Sequence, residues 1–76
     1  MKAVYSISKG ALTLDDGSFI LTYGIDATDK ESGEKISSFD DVSVNKSVTE
    51  RIISILNSCE VEICHFKDVI TDELNR

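Results

Sequence analysis

The first half of the chain alternates apolar and polar residues, which is the pattern of β-strands with one buried face. Over residues 2–9, Ala3, Tyr5 and Ile7 share one face, so we predict a strand there. Gly10 interrupts the pattern, and residues 11–14 are predicted to form a short separate strand. A tight turn follows at Asp15-Asp16-Gly17, since Asp-Gly tolerates positive φ.

The returning segment, residues 18–28, has the longest alternation in the chain. Its odd-numbered face is more apolar than its even-numbered face and is predicted to be the core face, comprising Phe19, Leu21, Tyr23, Ile25 and Ala27. Gly24 lies in mid-strand, where a missing side chain is typical of a bulge or of the close approach of another backbone. A third long strand is predicted over residues 36–44, with a bulge near Ser38.

The last thirty residues change to helical spacing. Ser47-Val48-Thr49-Glu50 has the capping-box form, which predicts a helix start at Ser47. The apolar stripe of that helix is Val48, Ile52, Ile55, Leu56 and Cys59, and Asn57 is predicted to face water. A second helix is predicted from the spacing of Phe66, Val69, Ile70 and Leu74.

These elements predict one α+β domain over residues 1–76. Its architecture is a small antiparallel sheet of three to four strands, followed by two C-terminal helices packed on one face. A chain of 76 residues has a thin core, so an association that buries further surface is in keeping with its size.

Charge narrows the classes of partner. The formal net charge is −6 and the pI is about 4.5, which argues against a protein that binds nucleic acid or anionic lipid directly. The longest uncharged stretch, residues 17–25, is too short to span a membrane, and a cytoplasmic location is expected. Two cysteines are too few for the disulfide framework of a small secreted domain.

Little in the sequence points to catalysis or to a cofactor. Cys59, Cys64 and His65 are soft metal ligands, but the chain has no further Cys or His to complete a zinc site. Cys64 and His65 are adjacent and so do not aim at each other as a nucleophile and its base. We therefore expect a non-enzymatic protein with no metal or other cofactor.

The candidate partner-binding residues are acidic side chains that fall at predicted turns and on the exposed strand face. They are Asp15, Asp16, Asp26, Asp29, Glu31, Glu34, Asp40 and Asp41. Such carboxylates present phosphate-like charge to Lys and Arg of a basic partner.

Three segments together resemble a known family. Tyr23-Gly24-Ile25, the Ser47-x-x-Glu50 segment and a closing His-x-x-Asp-Val-Ile-x-Asp-x-Leu segment over residues 65–74 are similar to a family of small Gram-positive bacterial proteins catalogued only as a domain of unknown function. The resemblance covers roughly residues 18–74 and implies a cytoplasmic bacterial protein.

Two functions of different classes follow as expectations. The first is a small protein-interaction module that associates with itself, as a homodimer, or with another protein through exposed sheet edges and the second sheet face, which carries Val4, Ile20 and Thr22. The alternative is an acidic inhibitor that occupies the basic nucleic-acid groove of a bacterial protein, as phage anti-defence proteins of the anti-CRISPR type do.

Overall fold

The fold is a three-stranded antiparallel sheet with two helices on one face. The computed structural model describes residues 3–76, and Lys2, the first residue of the predicted first strand, lies outside the described residues. The elements are β1 (Ala3–Thr13), β2 (Phe19–Asp29), β3 (Lys35–Ser43), α1 (Lys46–Ser58), a single 3-10 turn (Ile63–His65) and α2 (Phe66–Leu74). The predicted α+β class and its order of strands before helices are confirmed.

The sheet is a meander in the order β1-β2-β3, so β2 is central and β1 and β3 are edges. The predicted break at Gly10 is wrong, because Gly10 remains paired with Thr22 and β1 runs unbroken to Thr13. The turn that follows has the predicted position. Gly17 adopts φ +88° there, and the Leu14 N–H donates to the Ser18 carbonyl at 2.7 Å.

The core lies between the sheet and the helices. Its buried apolar residues come from all three strands and both helices: Tyr5, Ile25, Ala27, Val42, Ile52, Leu56, Phe66 and Ile70. The rings of Tyr5 and Phe66 stack with centroids 5.2 Å apart, joining β1 to α2. The helices therefore cover the odd-numbered face of β1 and β2, which on β2 is the predicted core face.

That cover extends along only half of the hairpin. An eleven-residue strand is about 36 Å long, whereas helices of thirteen and nine residues reach about 20 Å and 14 Å. Ile25 and Ala27 are consequently buried, Tyr23 is half-buried, and Phe19 and Leu21 are exposed. The prediction that Phe19 and Leu21 belong to the core is wrong, because no helix is long enough to reach them.

A bulge in β3 explains the glycine in mid-strand. The register passes from Ile25↔Phe39 to Tyr23↔Ser43, so β3 carries two extra residues opposite Gly24. A Cβ on Gly24 would lie 2.7 Å from the Phe39 carbonyl oxygen and 2.8 Å from the Ser8 Oγ. The predicted close approach of another backbone at Gly24 is confirmed. Ser38 itself stays in register with Asp26, and the irregularities flank it on both sides.

The first helix begins earlier than the predicted capping box. Asn45 is the N-cap residue, and its side chain accepts a hydrogen bond from the Ser47 N–H at 2.9 Å. Asn is as good an N-cap as Ser, and only Val44 separates Asn45 from the end of β3 at Ser43. The second helix, Phe66–Leu74, begins and ends where the apolar spacing predicts.

Candidate functional site

The most unusual surface of the molecule is the end of the β1–β2 hairpin. Every residue from 11 to 21 is exposed, and we call this segment the hairpin arm. It nevertheless carries large apolar side chains on both faces: Leu12, Leu14, Phe19, Ile20 and Leu21. Because isolated two-stranded hairpins are marginally stable in water, an arm of this composition is the kind of element that another surface covers.

The two faces of the arm differ in exposure. On the helix side, Phe19 is 66% exposed and Leu21 is 61% exposed, and neither helix reaches them. On the opposite side, Leu12 and Ile20 are directly paired across the strands, with 44% and 41% exposure. Clustered exposed apolar residues at one place mark interaction surfaces, whereas scattered ones do not.

The backbone of the arm is unpaired along both of its edges. The β2–β3 pairing ends at Tyr23↔Ser43, so no described strand lies beside Phe19 and Leu21. The outer edge of β1 is covered at one point, where the side chain of Asn57 on α1 forms two hydrogen bonds with the backbone of Tyr5. The Tyr5 N–H donates to Asn57 Oδ1, and Asn57 Nδ2 donates to the Tyr5 carbonyl, both at 3.0 Å. Asn57 is exposed, as predicted, and its amide also bonds to the β1 backbone, which the sequence did not predict.

The eight predicted partner-binding carboxylates do not form one patch. Asp15 and Asp16 lie at the tip of the arm, whereas Asp29, Glu31 and Glu34 lie in or beside the turn at the opposite end of β2. Those turns are separated by the length of β2, about 36 Å. The other three are Asp26, half-buried in mid-strand, and Asp40 and Asp41 in the β3 bulge.

Three of these carboxylates accept hydrogen bonds from within the chain. Asp16 Oδ1 accepts hydrogen bonds from the Ser18 N–H at 2.9 Å and from the Ser18 hydroxyl, and these bonds lower the pKa of Asp16. Asp29 Oδ1 accepts from the Glu31 N–H at 2.8 Å. Asp41 adopts φ +54° and accepts a hydrogen bond from the buried Thr22 hydroxyl. Their positions follow from turn and bulge chemistry.

Two open grooves flank β1. One, of about 450 Å³, lies beside the start of β1 and is lined by Val4, Lys30, Asn57, Val61 and Glu62, among others. The other, of about 260 Å³, lies where the β3 bulge folds over Gly10 and Gly24. Cys59 and Cys64 are exposed free thiols outside both linings. Within residues 3–76, no three metal-ligating side chains converge.

One family accounts for the whole chain. The sequence matches the family described as "Family of unknown function (DUF6514)" over residues 1–76. The chain belongs to the DUF6514 family. Neither a curated protein nor a solved structure matches it. In the described part of this DUF6514 chain, no helix is long and apolar enough to cross a membrane.

The sequence predicts a candidate site in the carboxylates and on the open sheet face that carries Ile20, but it does not predict that Phe19 and Leu21 are exposed in the arm. The feature that identifies the arm is that β1 and β2 are longer than β3 and than the helices that cover the sheet. The strands on either side of Asp15-Asp16-Gly17 are each eleven residues long, but β3 has nine and the helices are short. The alternation rule assigns a face to each residue but does not say how far along the strand the covering helices extend.

The anchored end of β1 is sensitive to alkaline pH. The Tyr5 hydroxyl donates to the Val61 carbonyl, and burial, with the negative charges of Cys64 and Glu62, raises the pKa of Tyr5. A raised folded-state pKa contributes stability that is complete below the unfolded value near 10 and is lost as pH rises past it. We expect Tyr5→Phe to lower the unfolding free energy by about 1 kcal/mol at pH 8.

Urea unfolding of Tyr5→Phe and wild type from pH 8 to 11 checks this expectation. The stability gap between the two proteins should narrow above pH 10, because only wild type loses the tyrosine contribution there. A gap that stays constant over that range would contradict the assignment.

Proposed function

We propose that this DUF6514 chain is a small, non-enzymatic protein-interaction module whose docking surface is the hairpin arm, residues 11–21. The observation that carries the proposal is the combination of large exposed apolar side chains with unpaired strand edges on both sides of the arm. We place the module in the bacterial cytoplasm, and its partner is another protein or a second copy of the chain.

Physical reasoning supports the arm over the rest of the surface. Natural proteins cover, shorten or charge exposed strand edges, because an open edge pairs with other chains. Here Lys9 on β1, next to the arm, is the one charged residue between Tyr5 and the turn at Asp15. Leaving five large apolar side chains in water costs solubility without adding to the core, so a partner that buries them is the simplest reason for their presence.

The acidic-inhibitor alternative has weaker support. Its eight carboxylates are spread over both ends and the middle of β2 and over the β3 bulge, and three of them already accept hydrogen bonds within the chain. A basic groove is most strongly complemented by charge concentrated on one face. A basic partner that dissociates as salt rises would be the signature of the inhibitor.

The test is affinity capture of the tagged chain from lysate of its source organism, with nuclease treatment and a salt series. The arm variant is Phe19→Ser combined with Leu21→Ser, and the matched control is Leu74→Ser, an exposed leucine on α2. We expect the captured partner to be retained at high salt by wild type and by the control, and lost with the arm variant.

Two results would overturn the proposal. One is capture that is unchanged in the arm variant. The other is a basic protein that leaves as salt rises and that is no longer captured when Asp29, Glu31 and Glu34 are changed to Asn or Gln, which would favour the inhibitor.

A further inference from the structure

We infer that the partner of this chain is a second copy, paired antiparallel to it through the outer edge of β1 over residues 7–13. The inference rests on the proposed function and names the occupant of the β1 side of the docking surface. It is carried by the pattern of free backbone groups on β1, by the symmetry of that free segment and by the shape of the molecule.

The structure indicates which backbone groups on β1 point outward. In an antiparallel pair, successive residues alternate between bonding to the neighbouring strand and pointing away from it. The Tyr5 N–H and carbonyl both bond to Asn57 and so point away from β2, whereas Leu14 bonds across the turn to Ser18. Odd-numbered residues of β1 therefore direct their backbone groups to the outer edge.

Both ends of the free edge are defined. Asn57 occupies the outward groups of Tyr5, and the turn begins after Thr13, so the free outward residues are Ile7, Lys9, Ala11 and Thr13. This segment is symmetric about Gly10. An antiparallel copy centred on Gly10 pairs Ile7 with Thr13 of the second copy and Lys9 with Ala11 of the second copy, which satisfies every free group.

The two neighbouring registers pair the free edge less well. A shift that centres the pair on Lys9 sets two lysines directly opposite each other, which is unfavourable. The same shift directs Thr13 to the Tyr5 backbone that Asn57 already holds. A shift in the other direction, centred on Ala11, leaves fewer free groups paired. The Gly10-centred register is thus the one that uses the whole edge.

The size and shape of the molecule agree with an uncovered arm. A compact monomer of this mass exposes roughly 4,600 Å², whereas this chain exposes 5154 Å². Its radius of gyration is 13.0 Å, against about 11.4 Å for a compact domain of this length. The excess of roughly 550 Å² is surface that a partner can cover, and it is about two thirds of the roughly 800 Å² per partner that a standard interface buries.

The Gly10-centred register also covers apolar surface of the arm. It places Leu14 of one copy opposite Ser6 of the other and diagonal to Val4, which is exposed in the single chain. Leu12 lies opposite Ser8 of the second copy. Both copies carry a net charge of −6, so their long-range repulsion is screened by salt. Self-association should therefore tighten as salt rises, which is the opposite of the salt response of an acidic inhibitor.

Sedimentation equilibrium of the purified chain tests the inference, with protein from micromolar concentrations to about 1 mM, the range of weak interfaces. Ala11→Pro removes an outward N–H that the single chain does not use, and proline is tolerated on such an edge. Ala11→Ser at the same position keeps the N–H and is the matched control. We expect a monomer–dimer equilibrium for wild type. The dissociation constant should be at least about tenfold higher for Ala11→Pro and near the wild-type value for Ala11→Ser.

Cross-linking gives a second readout that does not depend on the proline variant folding. In a background with Cys59→Ser and Cys64→Ser, one preparation carries Lys9→Cys and another carries Ala11→Cys. We expect the mixture to form the 9-to-11 disulfide between copies faster than either preparation links to itself, since the two Cα atoms would be about 5.5 Å apart.

The outcomes separate this inference from the proposed function. A chain that stays monomeric up to 1 mM overturns the second copy as partner, while loss of a different captured protein in the Phe19→Ser, Leu21→Ser variant would still support the arm. A dimer that is unaffected by Ala11→Pro and that shows no preference for the 9-to-11 link overturns the β1 edge as the interface.

Discussion

Ile52→Asp is expected to abolish the cooperative unfolding transition of this chain. Ile52 is fully buried between α1 and the sheet. The substitution removes about 1.5–3 kcal/mol of apolar burial and adds several kcal/mol for a desolvated carboxylate without a partner. A domain of this size has only about 4–11 kcal/mol of stability in total, so the folded state should not survive.

Thermal unfolding followed by circular dichroism measures this effect. Ser54→Asp is the matched control, because it introduces the same carboxylate on the same helix at an exposed position. We expect the control to melt close to wild type. A cooperative melt of Ile52→Asp near the wild-type temperature would contradict the packing of α1 on the sheet.

Gly24→Ala is expected to cost about 1–3 kcal/mol of unfolding free energy. The new Cβ would lie 2.7 Å from the Phe39 carbonyl oxygen and 3.2 Å from the Asp40 Cα, both of them backbone atoms. Relief therefore requires the β3 bulge to move. That movement would also disturb the Thr22–Asp41 hydrogen bond, which ties β2 to the bulge.

Urea unfolding, with Gly10→Ala as the control, measures the cost. A Cβ on Gly10 would have its nearest contact at 3.2 Å, with the Thr22 Oγ1, which belongs to a side chain. The loss of stability should be clearly smaller there. Equal losses for the two alanine variants would show that the bulge does not press on Gly24.

The elements of the fold could be predicted from local patterns, because those patterns depend on neighbouring residues. Alternation placed Ile25 and Ala27 in the core, and apolar spacing located the second helix, Phe66–Leu74. Positions that depend on distant partners were harder to predict. Asn57 looked solvated because its polar side chain stands beside the apolar stripe of α1, and nothing local reveals that it bonds to Tyr5, 52 positions away.

The candidate site could be predicted only in part, for the same reason. Val4 and Ile20 were expected on an open sheet face, and the structure leaves both exposed. Thr22 was expected there too, yet the β3 bulge buries it. Phe19 and Leu21 have the side-chain pattern of core residues, and they are exposed because α1 and α2 do not extend far enough to cover them. That reach depends on the packing of the whole chain and not on the residues around Phe19.

The measurement that tests the docking role of the arm most directly is amide hydrogen exchange, resolved by residue. The free, dilute chain is compared with the chain in its complex, whether with itself or with a captured protein. We predict that the outward amides of the arm, those of Ala11 and Thr13 on β1 or of Phe19 and Leu21 on β2, exchange rapidly in the free chain and become protected in the complex. Protection confined to α2 or to the outer edge of β3, with the arm amides unchanged, would contradict the arm as the docking surface.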